Sequence, residues 1–264
     1  MTALGRIWRP PPADLTLSSG EVHVWRASLN VPAARIQSLQ HTLATDELSK
    51  AERFCYQEAR QHFIVARGLL RAILSRYLSM APGRLRFGTN DHGKPYLAPM
   101  SGQKTLNFNL SHSDGLALYA ITCDREIGID LERVRPVAEA EQFAARFFSA
   151  QENGVFRTLP VGLKREGFFT CWTRKEAYIK ARGEGLSLPL DQFDVSLIPD
   201  EPAKLVSTRG DPREAWRWSL RELMPGPGYV AALAVEGRDW RLVCWQFPEP
   251  GQYAGTRSVR VAPP

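Results

Sequence analysis

Hydrophobic and polar positions follow two different periods along this chain, and each period predicts a type of secondary structure. Residues 21–29 alternate like a strand, with Trp25, Ala27 and Leu29 on one face. Residues 59–79 carry apolar side chains every three or four positions, which predicts one long helix that stops before Pro82. The apolar face of this helix consists of Phe63, Ala66, Leu70, Ile73 and Tyr77.

Shorter segments continue the alternation of helices and strands. Residues 165–182 predict a second long helix, which Gly183 ends. Further strands are expected at residues 84–88, 105–110, 116–122, 127–132, 193–198, 216–221, 228–235 and 241–247. This mixture of helices and strands predicts an α+β fold.

Two helix starts are predicted from side chains rather than from periodicity. Ser49 with Glu52, and Ser149 with Glu152, stand at the spacing of a capping box. In a capping box, the serine and the acid each accept the backbone N–H of the other residue. We therefore expect helices to begin at both serines.

The chain divides into four predicted segments. Residues 1–20 are rich in proline and serine and predict an N-terminal arm, and residues 248–264 predict a flexible tail. Residues 21–124 and 125–247 each combine helices with strands. We therefore expect an N-terminal lobe and a C-terminal lobe of similar α/β construction, joined near residues 122–126.

Composition narrows the class of protein. The 264 residues are 44% hydrophobic and 23% charged, which excludes a disordered chain. The net charge of +6 suits an anionic partner such as a phosphate, a nucleic acid or an acidic protein. No apolar run approaches the ~20 residues of a membrane span, no signal peptide is visible, and the 4 cysteines form no close pair. We therefore expect a cytoplasmic protein that does not bind membranes.

The sharpest local pattern is a pair of acidic residues, Asp130 and Glu132, on one face of the strand at residues 127–132. Adjacent carboxylates repel each other, so the pair needs a positively charged partner. Either the two acids lie in solvent beside an arginine, or they hold a cation. In the second long helix, Glu176 and Lys180 share a face. They form either an ordinary helical ion pair or a third carboxylate beside a phosphate-binding lysine. Three carboxylates without histidine or cysteine would suit Mg²⁺.

Two polar segments could contact phosphate oxygens. Ser111, His112 and Ser113 are expected in a loop between strands, either as donors to phosphoryl oxygens or as a plain polar hairpin turn. A nucleophilic triad is excluded, since Ser111 and His112 are neighbours that point in opposite directions on an extended chain. Lys94, between Gly93 and Pro95, could reach a phosphate or be an ordinary surface lysine.

Together these segments resemble the Sfp-type 4'-phosphopantetheinyl transferase family in order and approximate spacing over residues 53–195. The two most specific runs are Ile127-Gly128-Ile129-Asp130-Leu131-Glu132 and Trp172-Thr173-Arg174-Lys175-Glu176-Ala177-Tyr178-Ile179-Lys180. The other runs that carry the resemblance are residues 93–95, 108–113, 146–149 and 183–190.

The resemblance implies two similar α/β lobes with coenzyme A bound in the cleft between them. It implies a Mg²⁺ ion, or Mn²⁺, held by Asp130, Glu132 and Glu176 together with the pyrophosphate of coenzyme A. Arg53, Arg67 and Lys94 are implied to lie near the adenosine 3'-phosphate. The remaining side chains implied to contact the phosphates of coenzyme A are Ser111, His112, Lys175 and Lys180.

The implied reaction transfers the 4'-phosphopantetheine group of coenzyme A to a serine of an apo acyl or peptidyl carrier protein. Glu176 is the expected general base, directly or through a metal-bound water, and Lys175 and Lys180 add positive charge. Residues 137–148 and 163–168 are candidates for the surface that binds an acidic carrier, and a monomer is expected. The alternative is a non-catalytic regulator of the same fold that binds coenzyme A or a nucleotide. Nucleic-acid binding is not expected, because the arginines are dispersed.

Overall fold

The computed structural model describes residues 8–99 and 105–248. Its strands are β1 (Glu21–Ser28), β2 (Phe87–Thr89), β3 (Pro95–Leu97), β4 (Leu106–Ser113), β5 (Leu116–Cys123), β6 (Ile127–Arg133), β7 (Phe193–Val195), β8 (Leu205–Thr208), β9 (Trp218–Leu223), β10 (Tyr229–Glu236) and β11 (Arg241–Gln246). Its α-helices are α1 (Ala33–Gln40), α2 (Thr45–Glu52), α3 (Gln57–Leu78), α4 (Ala140–Phe147), α5 (Ala150–Thr158), α6 (Val161–Arg182) and α7 (Glu214–Arg217). The α+β class expected from the sequence is confirmed.

The strands form two main sheets and two short ribbons. The first sheet has the order β11-β1-β5-β4, in which β1 and β11 run parallel and the other neighbours antiparallel. The second sheet has the antiparallel order β6-β10-β9. The ribbons are β2-β3 and β7-β8.

Apolar side chains separate the fold into four layers, in the order helix, sheet, sheet, helix. Helix α3 covers one face of the first sheet, where Leu70 packs in the same cluster as Trp25. Helix α6 covers one face of the second sheet, in a cluster that includes Ala177. A third cluster fills the space between the two sheets, with Val24 of β1 and Ile129 of β6 among its members. Each sheet is therefore buried on both faces.

The predicted face of α3 agrees with the structure at its centre and differs at its ends. Ala66, Leu70 and Ile73 are buried, as expected for one helical face. Phe63 and Tyr77 are only half-buried. The buried surface is broader than one stripe, because the helix is covered by the first sheet on one side and by α1 and α2 on another.

The two predicted capping boxes had different outcomes. The box at Ser149 is confirmed, since its Oγ accepts the Glu152 N–H at 3.1 Å and the Glu152 carboxylate accepts the Ser149 N–H at 2.8 Å. The helix start at Ser49 is wrong, because α2 begins at Thr45 and Ser49 lies inside it. There the carboxylate of Glu47 accepts the N–H of Ala44 at 3.0 Å, so a different acid caps the helix.

The last strand changes the predicted division into lobes. We expected residues 125–247 to form one lobe, but β11 pairs with β1 in the first sheet. This pairing covers the edge that β1 would otherwise expose. Residues 8–20 of the predicted arm lie beside it, with Leu15 and Leu17 buried and Arg9 bridged to Trp245. Apart from Pro248, the predicted tail lies outside the described residues.

Candidate active site

Side chains of β4 hydrogen-bond to the backbone of β6, which is an edge strand of the second sheet. Asn109, Ser111 and Ser113 alternate along β4 and so point to one side. They accept the N–H of Ile129 at 2.9 Å, of Leu131 at 3.3 Å and of Arg133 at 3.1 Å, respectively. Ser111 to Ser113 belong to a strand that pairs with β5 rather than to the predicted loop, and the side chains of Ser111 and Ser113 complete the edge of the other sheet.

The same two serines bind the two acids of β6. The Ser111 hydroxyl donates to Asp130 Oδ1 at 3.0 Å, and the Ser113 hydroxyl donates to Glu132 Oε2 at 3.0 Å. Asp130 and Glu132 thus share one face of the strand, as the alternation of the sequence predicts. Both carboxylates are held at the line where the two sheets meet.

Lys180 reaches this pair of acids from α6. Its Nζ lies 2.5 Å from Asp130 Oδ1 and 3.4 Å from Ser111 Oγ. Asp130 is only 4% exposed, and its second oxygen, Oδ2, has no hydrogen-bond partner among residues 8–99 and 105–248. A buried polar atom without a partner is unfavourable by about 1–3 kcal/mol, and by more when it is charged. Asp130 Oδ2 is therefore an open ligand position.

Helix α6 can come this close to β6 because Gly128 has no side chain. A Cβ atom on Gly128 would lie 2.1 Å from the carbonyl oxygen of Ala177 and 2.3 Å from the nitrogen of Ala181. Neither backbone atom can move without moving the helix. Glycine at this position therefore lets the helix that carries Glu176 and Lys180 lie directly on the strand that carries Asp130.

The three predicted carboxylates interact electrostatically. Burial raises the pKa of the Glu176 carboxyl, and Lys180 opposes the rise, whereas the charges of Asp130 and Glu132 add to it. Burial and the charge of Asp130 also raise the pKa of Glu132, although its hydrogen bond from Ser113 lowers it. Glu176 thus responds electrostatically to both acids of β6, but among the described residues no three such side chains lie close enough together to hold a metal ion, so their convergence on one cation stays a prediction.

The donor set fits a hard divalent cation. Asp130, Glu132 and Glu176 offer only oxygen ligands, which Mg²⁺ and Mn²⁺ prefer. Lys180 already neutralises one oxygen of Asp130. In the described part of the chain, no group of three acidic, histidine or cysteine side chains lies close enough together to hold a metal ion. Asp130 Oδ2, which has no partner among the described residues, is the oxygen at which a positive charge would be stabilising.

A cavity of about 410 Å³ opens on the other side of β4; we call it the basic cavity after Lys50, Arg67 and His112, although the acidic Asp46 and Glu47 also line it. Its lining comes from α2, α3, the β2-β3 ribbon and β4, and includes Lys50, Arg67, Phe87 and His112. The Arg67 guanidinium lies 4.8 Å from the centre of the Phe87 ring and is held by Glu47 at 2.6 Å. Cationic and aromatic side chains of this kind suit a ligand with phosphate groups and a flat ring.

His112 points into this cavity, whereas its neighbour Ser111 points to Asp130. The two side chains lie on opposite faces, as expected for consecutive strand residues. Burial lowers the pKa of His112, and the nearby His62 and Lys180 lower it further. One strand therefore forms the wall between the basic cavity and the cluster of acids.

Two family models and several known proteins match this chain. A family model described as 4'-phosphopantetheinyl transferase, N-terminal, matches residues 25–124, and one described as 4'-phosphopantetheinyl transferase superfamily matches residues 126–234. The chain is also 44% identical to the 4'-phosphopantetheinyl transferase HetI of Nostoc sp., over 92% of this chain and 100% of that one. The chain belongs to the 4'-phosphopantetheinyl transferase superfamily.

Other proteins are similar to this transferase at lower sequence identity. The 4'-phosphopantetheinyl transferase Sfp of Bacillus subtilis is 32% identical over 60% of this chain and 68% of its own length. A crystal structure of the holo-[acyl-carrier-protein] synthase of Thermotoga maritima aligns with a TM-score of 0.35 and 24% identity, covering 43% of this chain and 63% of that one. The family assignment rests on the sequence matches, and this structural likeness carries no part of it.

The structure corrects the role expected for Lys175 of the transferase. Its ammonium is fully buried, donates to the carbonyl oxygens of Leu190 at 2.6 Å and Phe193 at 2.7 Å, and pairs with Glu152 at 2.7 Å. Consecutive helical residues point about 100° apart, so Lys175 cannot share the direction of Glu176. Lys175 joins α6 to α5 and β7 and has no donor left for a phosphate of coenzyme A.

Lys94 and Arg53 are also not brought to the basic cavity. The Lys94 ammonium donates to Glu126 Oε2 at 2.8 Å and to the carbonyl oxygen of Ala181 at 2.9 Å. Arg53 lies exposed at the end of α2, outside the lining of the cavity. Lys50, one turn earlier in α2, lines the cavity instead. Of the three basic residues implied to lie near the 3'-phosphate, Arg67 alone lines it.

The roles of Lys50 and Gly128 were missed in the sequence, and Ser113 was expected in a loop as a candidate donor to phosphate oxygens rather than as a partner of Glu132. Lys50 carries no distinctive pattern, since it is the single lysine of a short helix without a recognisable motif around it. The strand position of Ser113 could have been predicted, because Asn109, Ser111 and Ser113 show the two-residue spacing of one strand face. Gly128 could have been recognised as a position of close backbone approach, since a glycine inside a strand often marks one.

Proposed function

We propose that this transferase moves the 4'-phosphopantetheine group of coenzyme A to a serine of an apo carrier protein and releases adenosine 3',5'-bisphosphate. One observation carries the proposal: Asp130, at the junction of β4, β6 and α6, has a buried carboxylate oxygen without a partner in the part of the chain that the structure describes. Such an oxygen, beside two more acids and a lysine, suits the diphosphate and cation of a phosphoryl transfer.

Coenzyme A would lie across β4. Its nucleotide end fits the basic cavity, where Lys50, Arg67 and His112 can bind phosphate oxygens and Phe87 offers a ring face. Its diphosphate would reach past Ser111 to the acids of β6. The proposal is supported by the arrangement of these groups on one strand, since His112 faces the cavity and Ser111 binds Asp130.

Asp130, Glu132 and Glu176 would hold Mg²⁺, or Mn²⁺ in its place. The ion would neutralise negative oxygens of the diphosphate when bound. Ser111 and Ser113 orient two of these carboxylates by the hydrogen bonds described above. Carboxylates fixed in this way lose little freedom when they bind a cation.

In the proposed reaction, the serine hydroxyl of the carrier attacks the β-phosphorus of coenzyme A. A new phosphorus–oxygen bond forms to the serine, and the bond from that phosphorus to the bridging oxygen of the diphosphate breaks. The serine proton would go to Glu176, which is the expected general base. Lys180 lies where its charge can stabilise the negative oxygen of the leaving bisphosphate.

The carrier is proposed to bind at the groove between α4 and α6, which includes parts of residues 137–148 and 163–168. This groove of about 490 Å³ is lined by apolar side chains, among them Val137 and Val161, by the basic Lys164 and Arg165, and by the acidic Glu139 and Glu141. Phe143 is exposed at 44%, whereas Phe148 is buried in the core. Exposed apolar side chains with basic neighbours suit an acidic amphipathic helix.

We also propose that the protein works as a cytoplasmic monomer and does not act on nucleic acid. The described helices include none long and apolar enough to cross a membrane. Carrier proteins of fatty-acid, polyketide and nonribosomal peptide synthesis are all candidate acceptors.

The proposed transfer is tested by the intact mass of a carrier protein after incubation with the protein, coenzyme A and Mg²⁺. We expect the carrier to gain one phosphopantetheine group and one equivalent of adenosine 3',5'-bisphosphate to be released. A carrier in which the acceptor serine is replaced by alanine is the control. Tight binding of coenzyme A without any gain of mass would refute the transfer and favour the non-catalytic regulator.

A further inference from the structure

The tip of the β2-β3 ribbon, residues 90–94, reaches from the first sheet to the C-terminal end of α6. The Asn90 side chain organises the tip, because its Oδ1 accepts the N–H groups of His92 at 3.0 Å and Lys94 at 2.8 Å. Its other atom, Nδ2, donates to the carbonyl oxygen of Gly183 at 2.8 Å. One side chain therefore shapes the tip and fastens it to the helix end.

Lys94 provides the second attachment. Its Nζ donates to the carbonyl oxygen of Ala181 at 2.9 Å and to Glu126 at 2.8 Å, and only 17% of its side chain is exposed. The last carbonyl groups of a helix have no partner within the helix, and a positive charge there interacts favourably with the helix dipole. Lys94 therefore stabilises the end of α6 in two ways.

The tip fits closely over Gly183, where α6 ends. Gly183 has φ 71°, a conformation that favours glycine, and a Cβ there would lie 3.1 Å from Lys94 Cδ and 3.2 Å from Asn90 Nδ2. The next turn of the chain joins the contact, with Ser187 Oγ 3.5 Å from His92 Nδ1. The attachment thus covers the helix end rather than a single atom.

Both partners of this attachment belong to the site. The ribbon lines the basic cavity through Phe87, Thr89, Gly93 and Pro95. The helix end carries Lys180, next to Ala181, which reaches Asp130. In the proposed binding mode, coenzyme A extends from the cavity to the acids of β6. The position of α6 relative to the ribbon therefore sets the distance that coenzyme A must span.

We propose that Asn90 and Lys94 act as a clasp that positions the C-terminal turn of α6, and that Lys94 does not bind the 3'-phosphate of coenzyme A. The clasp fixes Lys180 and Glu176 relative to the nucleotide cavity. Asn90 and Lys94 are therefore positioning residues for the proposed transfer, and the proposal rests on that function only for its kinetic consequence.

The structural part is tested by amide hydrogen exchange on the whole protein without ligands. In Lys94→Met and Asn90→Asp, the amides of residues 180–183 should exchange at least tenfold faster, while those in the middle of α6 stay within twofold of the wild type. Asn90→Asp retains the acceptor that shapes the tip and loses the donor to Gly183. Lys204→Met, at an exposed lysine far along the chain, is the control and should change neither region.

The kinetic part compares coenzyme A with 3'-dephospho-coenzyme A. The clasp predicts that Lys94→Met lowers kcat by tenfold or more for both donors, with KM for coenzyme A within twofold, and that Lys94→Arg recovers part of the loss. Unchanged exchange at residues 180–183, or a loss confined to coenzyme A, would overturn the proposal. If the wild-type protein transfers nothing, the proposed function has failed and the exchange measurement alone decides about the clasp.

Discussion

Nζ of Lys180 in α6 lies 2.5 Å from Oδ1 of Asp130 in β6. This contact neutralises one oxygen of the carboxylate and leaves the other without a partner among the described residues. It also places a positive charge at the position where the proposed reaction releases a negative leaving group. Lys180 is therefore the side chain of α6 that contacts Asp130 and, in the proposed reaction, stabilises the leaving group.

Replacement of Lys180 by methionine should lower kcat by about 10²-fold, the usual size of the effect when one charge-stabilising donor is removed. The fold should persist, because the aliphatic part of the side chain is retained. Steady-state transfer to a carrier at saturating coenzyme A and Mg²⁺ measures this. The exposed Lys204→Met is the matched control, and equal activities of the two variants would exclude the assigned role of Lys180.

Replacement of Gly128 by alanine should destabilise the protein. The new Cβ would meet the backbone of Ala177 and Ala181, and overpacking of this kind costs about 1–3 kcal/mol. Chemical denaturation gives the free energy of unfolding. Gly154→Ala is the control, since Gly154 lies inside α5, where a Cβ would meet no neighbouring atom of the described residues within 4 Å, and it should stabilise the protein by about 0.5–1 kcal/mol. A Gly128 variant as stable as the wild type would contradict the close contact of α6 with β6.

Replacement of Lys175 by methionine should lower the free energy of unfolding. The substitution leaves Glu152 buried without its cation, and breaking a buried ion pair in this way costs about 3–5 kcal/mol. Chemical denaturation measures the loss, and the KM for coenzyme A of the remaining folded protein should stay near that of the wild type. A stable variant with a raised KM would restore Lys175 to the phosphate-binding role implied by the sequence.

Acid should destabilise the first sheet through His23 of β1. Burial lowers the pKa of His23 from 6.5 to about 4, so between these values the unfolded chain binds a proton that the folded chain does not. Stability is therefore full above about pH 6.5 and falls as the pH drops towards 4, by about 3 kcal/mol in total from this group. Unfolding free energies measured across this range should show a shallower slope in His23→Gln, and identical slopes would exclude His23 as the cause.

The sequence predicted the parts of the site that depend on local periodicity. Asp130 and Glu132 share a face because strand side chains alternate, and Glu176 and Lys180 share one because they are four residues apart in a helix. The position of Lys175 could not be predicted, because its partners Leu190 and Phe193 approach α6 only in the folded protein.

The remaining differences also arise from contacts between distant parts of the chain. The loop expected at Ser111 is a strand that pairs with β5, and its serine side chains bind β6, a segment that follows later in the sequence. The return of β11 to the first sheet pairs Arg241 with Glu21 across nearly the whole chain. Local patterns contain no information about such pairing. The Lys94 contact with the end of α6 is of the same kind.

The central claim, that three carboxylates meet on one divalent ion beside coenzyme A, is tested most directly by metal binding. Mn²⁺ titrated into the complex with coenzyme A can be followed by electron paramagnetic resonance, in the wild type and in Asp130→Asn. We expect one tight site in the wild type and at least tenfold weaker binding in the variant, because Asp130 Oδ2 is the open ligand position. Equal Mn²⁺ affinity in the two proteins would contradict the account.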